Sequence, residues 1–233
     1  MKSEARLLKV YMLTILSFLI ISFLGDSIIT VMAEDNMRLI SPCIIIDPGH
    51  GGEDGGAISC TGDMESHYNL EISIRLNDLL TLLGYRTKMI RTEDVSVYTT
   101  GTSIAQKKRS DLRERVRIVN ECRDAILLSL HQNHFSDSRY SGAQIFFADT
   151  EGSRALAEKM QEQFIFALNR SSNRKAKKSS GIFLMEHIQC PGVLIECGFL
   201  SNREENAKLK TSEYQKKICC VIASSVSLYI SNT

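Results

Sequence analysis

Four ionisable side chains have the types and positions that metal-dependent hydrolysis would need. Three of them stand at or just beyond the ends of short apolar runs: His50, His131 and Glu196. Glu65 opens the amphipathic segment that follows the glycine-rich loop after His50. Two imidazoles and one carboxylate can hold a catalytic zinc with a fourth position for water, and a second, unligated glutamate would act as base. The spacing is not diagnostic, because no HExxH pair occurs, so a structural histidine remains the alternative at each position.

These side chains meet only if their apolar runs are neighbouring strands of one sheet. Short apolar runs predict strands at 43–47, 85–91, 125–130, 143–147 and 193–195. Helical spacing predicts helices at 65–83, 111–122, 153–168 and 214–230, and a capping box over Ser201–Glu204 predicts one more. The alternation indicates a single α/β domain with a twisted, mostly parallel sheet and helices on both faces. The candidate site would lie at the carboxyl edge of that sheet.

Two segments, 94–110 and 170–180, fit neither pattern and predict irregular structure. The second is basic and contains Arg170, Arg174, Lys175, Lys177 and Lys178. A solvated loop is the simpler interpretation, and contact with an anionic polymer is the alternative.

Composition is that of an ordinary globular protein and excludes several classes. The chain has 233 residues, 43% hydrophobic and 24% charged, which excludes collagen-like and wholly disordered proteins. Its 28 basic and 27 acidic side chains give a formal net charge of +1. Without a basic excess, nucleic acid is not expected as a partner.

The first 33 residues predict export. Three cations, Lys2, Arg6 and Lys9, precede the uncharged apolar run Val10–Leu24, which is the pattern of a secretory signal. An uncleaved membrane anchor is the alternative. We therefore predict a signal peptide or anchor at 1–33, a short linker at 34–42 and the catalytic domain at 43–233. The domain would act outside the cytoplasm and meet the membrane only through its N-terminal segment.

The seven cysteines do not form a recognisable disulfide framework. Their number is odd, Cys219 and Cys220 are adjacent, and no CxxC pair occurs. We interpret them as buried thiols that behave as small hydrophobic side chains.

Six ordered motifs resemble the zinc-dependent N-acetylmuramoyl-L-alanine amidases of the Amidase_3 family. They are IIIDPGHGGEDGGA (44–57), ESHYNL (65–70), YRTKMIRT (85–92), DLRERVRIVN (111–120), SLHQN (129–133) and VLIECGFLSN (193–202). The resemblance spans about 44–230, and SGAQIFF at 141–147 is similar to the spore-cortex members. The resemblance to the family implies a twisted, largely parallel sheet flanked by helices.

The resemblance also implies the roles of the four groups. One Zn²⁺ would be held by His50, Glu65 and His131, and Glu196 would be the catalytic glutamate. The substrate would be peptidoglycan, cut at the amide between the lactyl group of N-acetylmuramic acid and L-alanine, with spore-cortex maturation as the setting. Asp47 would orient the loop or a ligand imidazole, or be a buried capping carboxylate.

Two positions depart from the family pattern. Ser66, followed by His67, stands where a lysine is usual, and His134 stands where a small residue is usual. We expect neither histidine to be a ligand, and His187 belongs to no motif.

Two other function classes stay open: another zinc hydrolase of envelope glycans, such as a deacetylase, and a catalytically silent wall-binding module. The order of the motifs favours the amidase over the deacetylase. The presence of all four groups argues against the silent module.

The loop 55–64 bears on activation, because it precedes the ligand Glu65. It is polar and contains Gly55 and Gly56, and Cys60 has no evident mate. If the loop is pliable, zinc binding would be weak until a protein partner or substrate fixes it. The alternative is that the helix at Glu65 is already docked by its apolar residues.

Overall fold

The computed structural model describes residues 42–232. The predicted signal or anchor at 1–33 lies outside these residues, as does all of the predicted linker except Pro42. The strands are β1 (Cys43–Pro48), β2 (Thr87–Met89), β3 (Ala125–Asn133), β4 (Gln144–Phe147), β5 (Lys177–Lys178) and β6 (Gly192–Phe199). The helices are α1 (Glu65–Leu82), α2 (Ile104–Asn120), α3 (Ser153–Ala167), α4 (Phe183–His187), α5 (Arg203–Leu209) and α6 (Ser212–Ile230). Within 42–232, no helix is both long and apolar enough to cross a bilayer.

The six strands form one sheet in the order β2-β1-β3-β6-β4-β5. Every neighbouring pair is parallel except β4 with β6, which is antiparallel. The central strands are buried on both faces, as parallel sheets require, and all six residues of β1 are buried. The predicted α/β fold with a mostly parallel sheet is confirmed.

Alternate residues of β1 enter two separate hydrophobic clusters. Ile44 and Ile46 pack in a cluster with apolar side chains of α1, α3 and α6. Ile45 packs on the opposite face, with residues of α2 and α4. Helices therefore cover both faces, and the carboxyl ends of the strands are left to carry polar groups.

Element boundaries differ from the prediction where capping or pairing extends an element. Helix α2 begins at Ile104 rather than 111, because Ser103 and Gln106 form a capping box, so the segment 94–110 is only partly irregular. The cap of α5 is Asn202, one residue beyond the predicted Ser201. Strands β3 and β6 continue past their apolar runs, so His131 and Glu196 lie within strands.

The prediction of buried thiols is only partly correct. Cys43, Cys197 and Cys219 are buried, and Cys122 and Cys190 are half-buried. Cys60 and Cys220 are exposed, which contradicts the interpretation for these two. All seven thiols are free.

Candidate metal centre and active site

The structure brings together three of the predicted residues, His50, Glu65 and His131. One possible ligand atom from each lies within 4.8 Å of the others. His131 Nδ1 is 2.9 Å from Glu65 Oε1, and His50 Nε2 is 3.3 Å from Glu65 Oε2. Among the described residues, this is the one group of histidine, cysteine and acidic side chains that meets this criterion. Two imidazole nitrogens and a carboxylate fit a divalent metal such as zinc.

Glu65 is the most firmly held of the three. It is the first residue of α1 and is only 4% exposed. Its Oε2 accepts a hydrogen bond from Ala57 N (3.0 Å), and its Oε1 accepts from Asn69 Nδ2 (3.1 Å) and Gln132 N (3.1 Å). Burial alone would raise the pKa of Glu65, but the hydrogen bonds and charges of the two imidazoles hold it well below the usual range. Glu65 is therefore an anion fixed in position.

His50 lies in a turn that leaves almost no free space around the ligands. Its φ is 60°, in the left-handed region that residues with a Cβ rarely adopt. A Cβ on Gly49 would lie 2.2 Å from His131 Nε2, and one on Gly56 would lie 2.6 Å from Glu65 Oε2. Both positions must therefore be glycine for the ligands to approach one another.

The His50 imidazole has two acidic neighbours. Its Nδ1 lies 3.0 Å from Asp54 Oδ2, while its Nε2 faces Glu65. Burial favours the neutral ring, yet the two carboxylates outweigh it and raise the pKa of His50 to about 9. A metal must therefore displace a proton to bind His50, as is general for imidazole ligands.

Two buried arginines hold the backbone of the His50 turn. Arg91 donates through Nε to Pro48 O (2.9 Å) and through Nη2 to Gly49 O (3.0 Å). Arg115 donates to Pro48 O (2.9 Å) and His50 O (2.7 Å). Both arginines lie inside the motifs that resemble the family, but neither was predicted to belong to the site. The signal that could have identified them is a charged residue at a position where the strand or helix pattern predicts burial.

Asp47 acts on the site through Arg115 rather than through a ligand imidazole. It is 1% exposed, forms an ion pair with Arg115 and accepts a hydrogen bond from Ser129 Oγ (2.7 Å). Burial opposes ionisation, but Arg115 and Ser129 hold the pKa of Asp47 below its usual value. Of the predicted alternatives, the structure favours a carboxylate that orients the loop.

Glu196 stands beside His131 in entirely different surroundings. The two residues are paired in the register of β3 and β6. Its Oε2 is buried and accepts no hydrogen bond within the described part of the chain. Burial, with a further contribution from the negative charge of Glu65, raises the pKa of Glu196 to about 7 despite the opposing effect of His131. A carboxyl group with this pKa can both accept and return a proton near neutrality.

The other histidines do not join the cluster. His67 is exposed, and its Nε2 lies 3.2 Å from Asp94 Oδ2. His187 donates through Nδ1 to Phe183 O (2.8 Å), and its ring stacks on Phe183. His134 lies just beyond β3 and outside the group of three.

The loop 55–64 is tied to the domain, contrary to the expectation that it is pliable. Ser59 N donates to Asp63 O (2.8 Å) within the loop. Asn206 Nδ2 donates to Thr61 Oγ1 (2.9 Å), and Lys210 Nζ lies 2.6 Å from Asp63 Oδ2. These contacts support the alternative in which Glu65 is already held in place.

Comparisons with known proteins identify the family. The profile of the Amidase_3 family, described as N-acetylmuramoyl-L-alanine amidase, matches residues 44–227. The germination-specific N-acetylmuramoyl-L-alanine amidase of Bacillus subtilis is 36% identical over 199 residues, which cover 83% of this chain and 82% of that protein. The amidase LytC of the same organism is 29% identical over 182 residues, which cover 77% of this chain and 34% of LytC.

A solved structure shows the same likeness in three dimensions. The CwlD amidase from Clostridioides difficile, in complex with the GerS lipoprotein, superposes with a TM-score of 0.79 at 34% identity. The match covers 83% of this chain and all of that one. Sequence, fold and the convergence of His50, Glu65 and His131 agree, and the chain belongs to the Amidase_3 family of N-acetylmuramoyl-L-alanine amidases.

Proposed function

We propose that the enzyme is zinc-dependent, with His50, Glu65 and His131 as the metal ligands and Glu196 as the catalytic acid and base. The scissile bond is the amide between the lactyl group of N-acetylmuramic acid and L-alanine. One observation carries the proposal: two glutamates flank His131, one that accepts three hydrogen bonds from amide groups and the other with a buried oxygen that accepts none.

An amide is hydrolysed slowly because its carbonyl is a weak electrophile and its nitrogen a poor leaving group. A zinc ion held by His50, Glu65 and His131 would supply a Lewis acid for the carbonyl and would bring the pKa of a water to about 7. Glu196 accepts the proton of the attacking water on its free Oε2 and then delivers it to the departing alanine nitrogen. Its raised pKa suits both directions of transfer.

The remaining residues keep the reacting groups in register. The donors to Glu65 fix the ligand carboxylate, and Arg91 and Arg115 fix the backbone on either side of His50. Rigid support of this kind is what places a catalytic constellation within tolerance.

Mass spectrometry of digested cell wall tests the reaction. The purified domain should release stem peptides that begin with free L-alanine, and a chelator should stop the release until zinc is restored. Release of acetate without peptides would show a deacetylase instead. Binding to wall fragments without any release would show a silent module.

We also propose that the enzyme acts outside the cytoplasm on spore-cortex peptidoglycan, after export through residues 1–33. The substrate class of the family supports this setting, and so does the likeness to the germination-specific amidase of Bacillus subtilis. Deletion of the gene should leave stem peptides on the cortex glycan while the vegetative wall is unchanged. An equal effect on both walls would contradict the cortex assignment.

A protein partner is the last part of the proposal, supported by the lipoprotein present in the Clostridioides difficile structure. Calorimetric zinc titration and peptide-release assays of the purified domain, with and without such a lipoprotein, test it. Higher activity with the partner is expected, whereas a gain in zinc affinity is not required, because the contacts of the loop 55–64 already hold Glu65 in place. Full activity without added protein would contradict the need for a partner.

A further inference from the structure

One cation of the basic segment 170–180 contacts residues beside the candidate active site. The segment carries Arg170, Arg174, Lys175, Lys177 and Lys178. Arg174 is half-buried, whereas the other four are exposed. A solvated loop, the simpler interpretation of the sequence, therefore accounts for four of the five cations and leaves Arg174 unexplained.

Arg174 is fixed by polar and aromatic contacts rather than by an ion pair. Its Nη2 donates to Ser141 O (3.2 Å), and its Nη1 lies 3.4 Å from Gln144 Oε1. Its Cζ stands 5.2 Å from the centroid of the Phe199 ring. A guanidinium that lies against an aromatic ring is oriented with part of its donor edge still available.

No described carboxylate pairs with this guanidinium, although a carboxyl group is close by. Glu205 senses the positive charge of Arg174, but its oxygens accept hydrogen bonds from Gly142 N (2.9 Å) and Phe199 N (2.8 Å). Burial raises the pKa of Glu205, which weakens it further as a counter-ion. A half-buried arginine that no carboxylate in the described part of the chain pairs with is well suited to an anionic ligand.

Gln144 relates Arg174 to the catalytic centre. It is paired directly with Glu196 across the antiparallel strands β4 and β6. Directly opposed residues project from the same face, with Cβ atoms about 5 Å apart. The guanidinium is thus one hydrogen bond beyond the side chain that lies next to Glu196.

Exposed aromatic rings continue the surface beyond Phe199. Tyr140 stacks on Phe199 with ring centroids 6.2 Å apart, and Phe135 meets Tyr140 edge to face at 5.0 Å. Phe135 is 51% exposed and Tyr140 47%, and both lie in the loop that follows β3. Apolar ring faces next to a fixed guanidinium suit a ligand with both carbon-rich and anionic parts.

We propose that Arg174 is a specificity residue that binds the α-carboxylate of the stem-peptide residue after L-alanine, on the leaving-group side of the scissile amide. The proposal rests on the amidase function given above and names the part of the substrate that this edge of the site recognises. Two residues of extended peptide span about 7 Å, so a carboxylate on the residue after L-alanine can reach a cation this near Glu196.

A matched pair of substrates tests the proposal with the unaltered zinc-loaded enzyme. N-acetylmuramoyl-L-alanyl-D-glutamate carries a free α-carboxylate, and its isoglutamine analogue carries a neutral amide of the same shape at that position. Both compounds keep the γ-carboxylate, so they differ only in the charge of the α position. A charge-assisted hydrogen bond predicts that kcat/KM is about ten- to hundredfold higher for the carboxylate. Equal values for the two substrates would overturn the proposal.

Two variants test whether Arg174 causes the preference for the carboxylate substrate. Arg174→Gln should lower kcat/KM for the carboxylate substrate toward that for the amide, mainly through KM. Lys175→Gln, which removes the exposed neighbouring charge, should keep the preference. A preference that survives in Arg174→Gln would assign it to another residue and overturn the inference.

A binding measurement separates this inference from the proposed reaction. The affinity of the zinc-loaded Glu196→Gln protein for each of the two substrates can be measured by calorimetry without any turnover. Tighter binding of the carboxylate would support the role of Arg174 even if the amide is never cut, and equal binding would overturn it. Absence of cleavage by the unaltered enzyme would count against the reaction alone.

Discussion

Glu65 and Glu196 flank the same histidine and have opposite surroundings. Glu65 accepts hydrogen bonds from two backbone amides and one side-chain amide and faces two imidazoles. Glu196 is also buried at its Oε2, yet that oxygen accepts nothing. The Glu65 carboxylate is therefore held as a permanent anion, whereas the pKa of Glu196 lies near neutral pH.

On the proposed roles, the difference shows how one sheet edge separates the two duties of a metal hydrolase. A ligand must be charged and immobile, so fixed donors orient its carboxylate and favour the anion. A proton carrier must be able to change its charge, so the surrounding structure supplies burial and withholds donors. The donors to Glu65 come from the loop before α1, from Asn69 of α1 itself and from the strand β3, whereas the buried Oε2 of Glu196 accepts no hydrogen bond within the described residues.

Neutralising the anion should have the largest effect. Glu65→Gln should reduce bound zinc well below one per chain and abolish amidase activity, because an amide oxygen is a far weaker ligand than a carboxylate. Elemental analysis and peptide-release assays measure the two effects. Glu158→Gln, on the exposed side of α3, is the control that should keep both. Stoichiometric zinc in Glu65→Gln would break the comparison.

Neutralising the proton carrier should separate metal from turnover. Glu196→Gln should retain one zinc and lose about 10²–10⁴ in kcat, the usual cost of removing a general acid and base. Zinc analysis and steady-state kinetics on muropeptides provide the readout. Loss of zinc in this variant would instead make Glu196 a fourth ligand.

The support of the His50 turn should show in stability. Arg115→Met leaves Asp47 buried without its cation, so we expect the free energy of unfolding to fall by about 3–5 kcal/mol. Arg117→Met, two residues away on α2, removes two ion pairs of an exposed guanidinium, with Glu114 and Glu121, and should unfold near the wild-type midpoint. Denaturant unfolding compares the two variants. Equal destabilisation would show that burial of the pair is irrelevant.

The same pair predicts a pH dependence of stability. Because Asp47 has a lowered pKa in the folded state, its stabilisation is complete above the unfolded value of about 4 and is lost as the pH falls toward the folded value. The stability gap between wild type and Asp47→Asn should therefore narrow below about pH 4, by at most about 1.4 kcal/mol per pH unit. Unfolding curves with chelator present exclude metal release as the cause. A gap that widens on acidification would contradict this sign.

The smallest effect is expected at the two histidines outside the cluster. His67→Ala and His134→Ala should keep one zinc per chain, because neither ring joins the ligand group. Loss of metal in His134→Ala together with retention in His131→Ala would mean that the ligand assignment is wrong.

Local patterns predicted most of the fold and the members of the site. The apolar run before His50 and the run that ends at His131 identified the strands, and the parallel arrangement put their ends together. The apolar pattern did not predict the start of α2, because cations follow Gln106 and no apolar stripe marks the first turn of this helix. Propensity there is overridden by the capping box at Ser103.

The support of the site could not be predicted in the same way. Arg91 and Arg115 are far from Pro48 in sequence and meet it only after the sheet and α2 have assembled. The contrast between Glu65 and Glu196 also depends on which backbone amides are left free by the final register. Composition and periodicity carry information about neighbours along the chain, and these contacts lie between distant segments.

The left-handed conformation of His50 has a cost that its own imidazole offsets. A residue with a Cβ at φ 60° carries a strain on the order of 1 kcal/mol. Glycine at position 50 would relieve that strain, but it would also remove the contacts of the imidazole with Asp54 and Glu65 and would make the unfolded chain more flexible. The side chain that we propose as a metal ligand therefore also holds its turn in place, and glycine at this position would bring no simple gain in heat resistance.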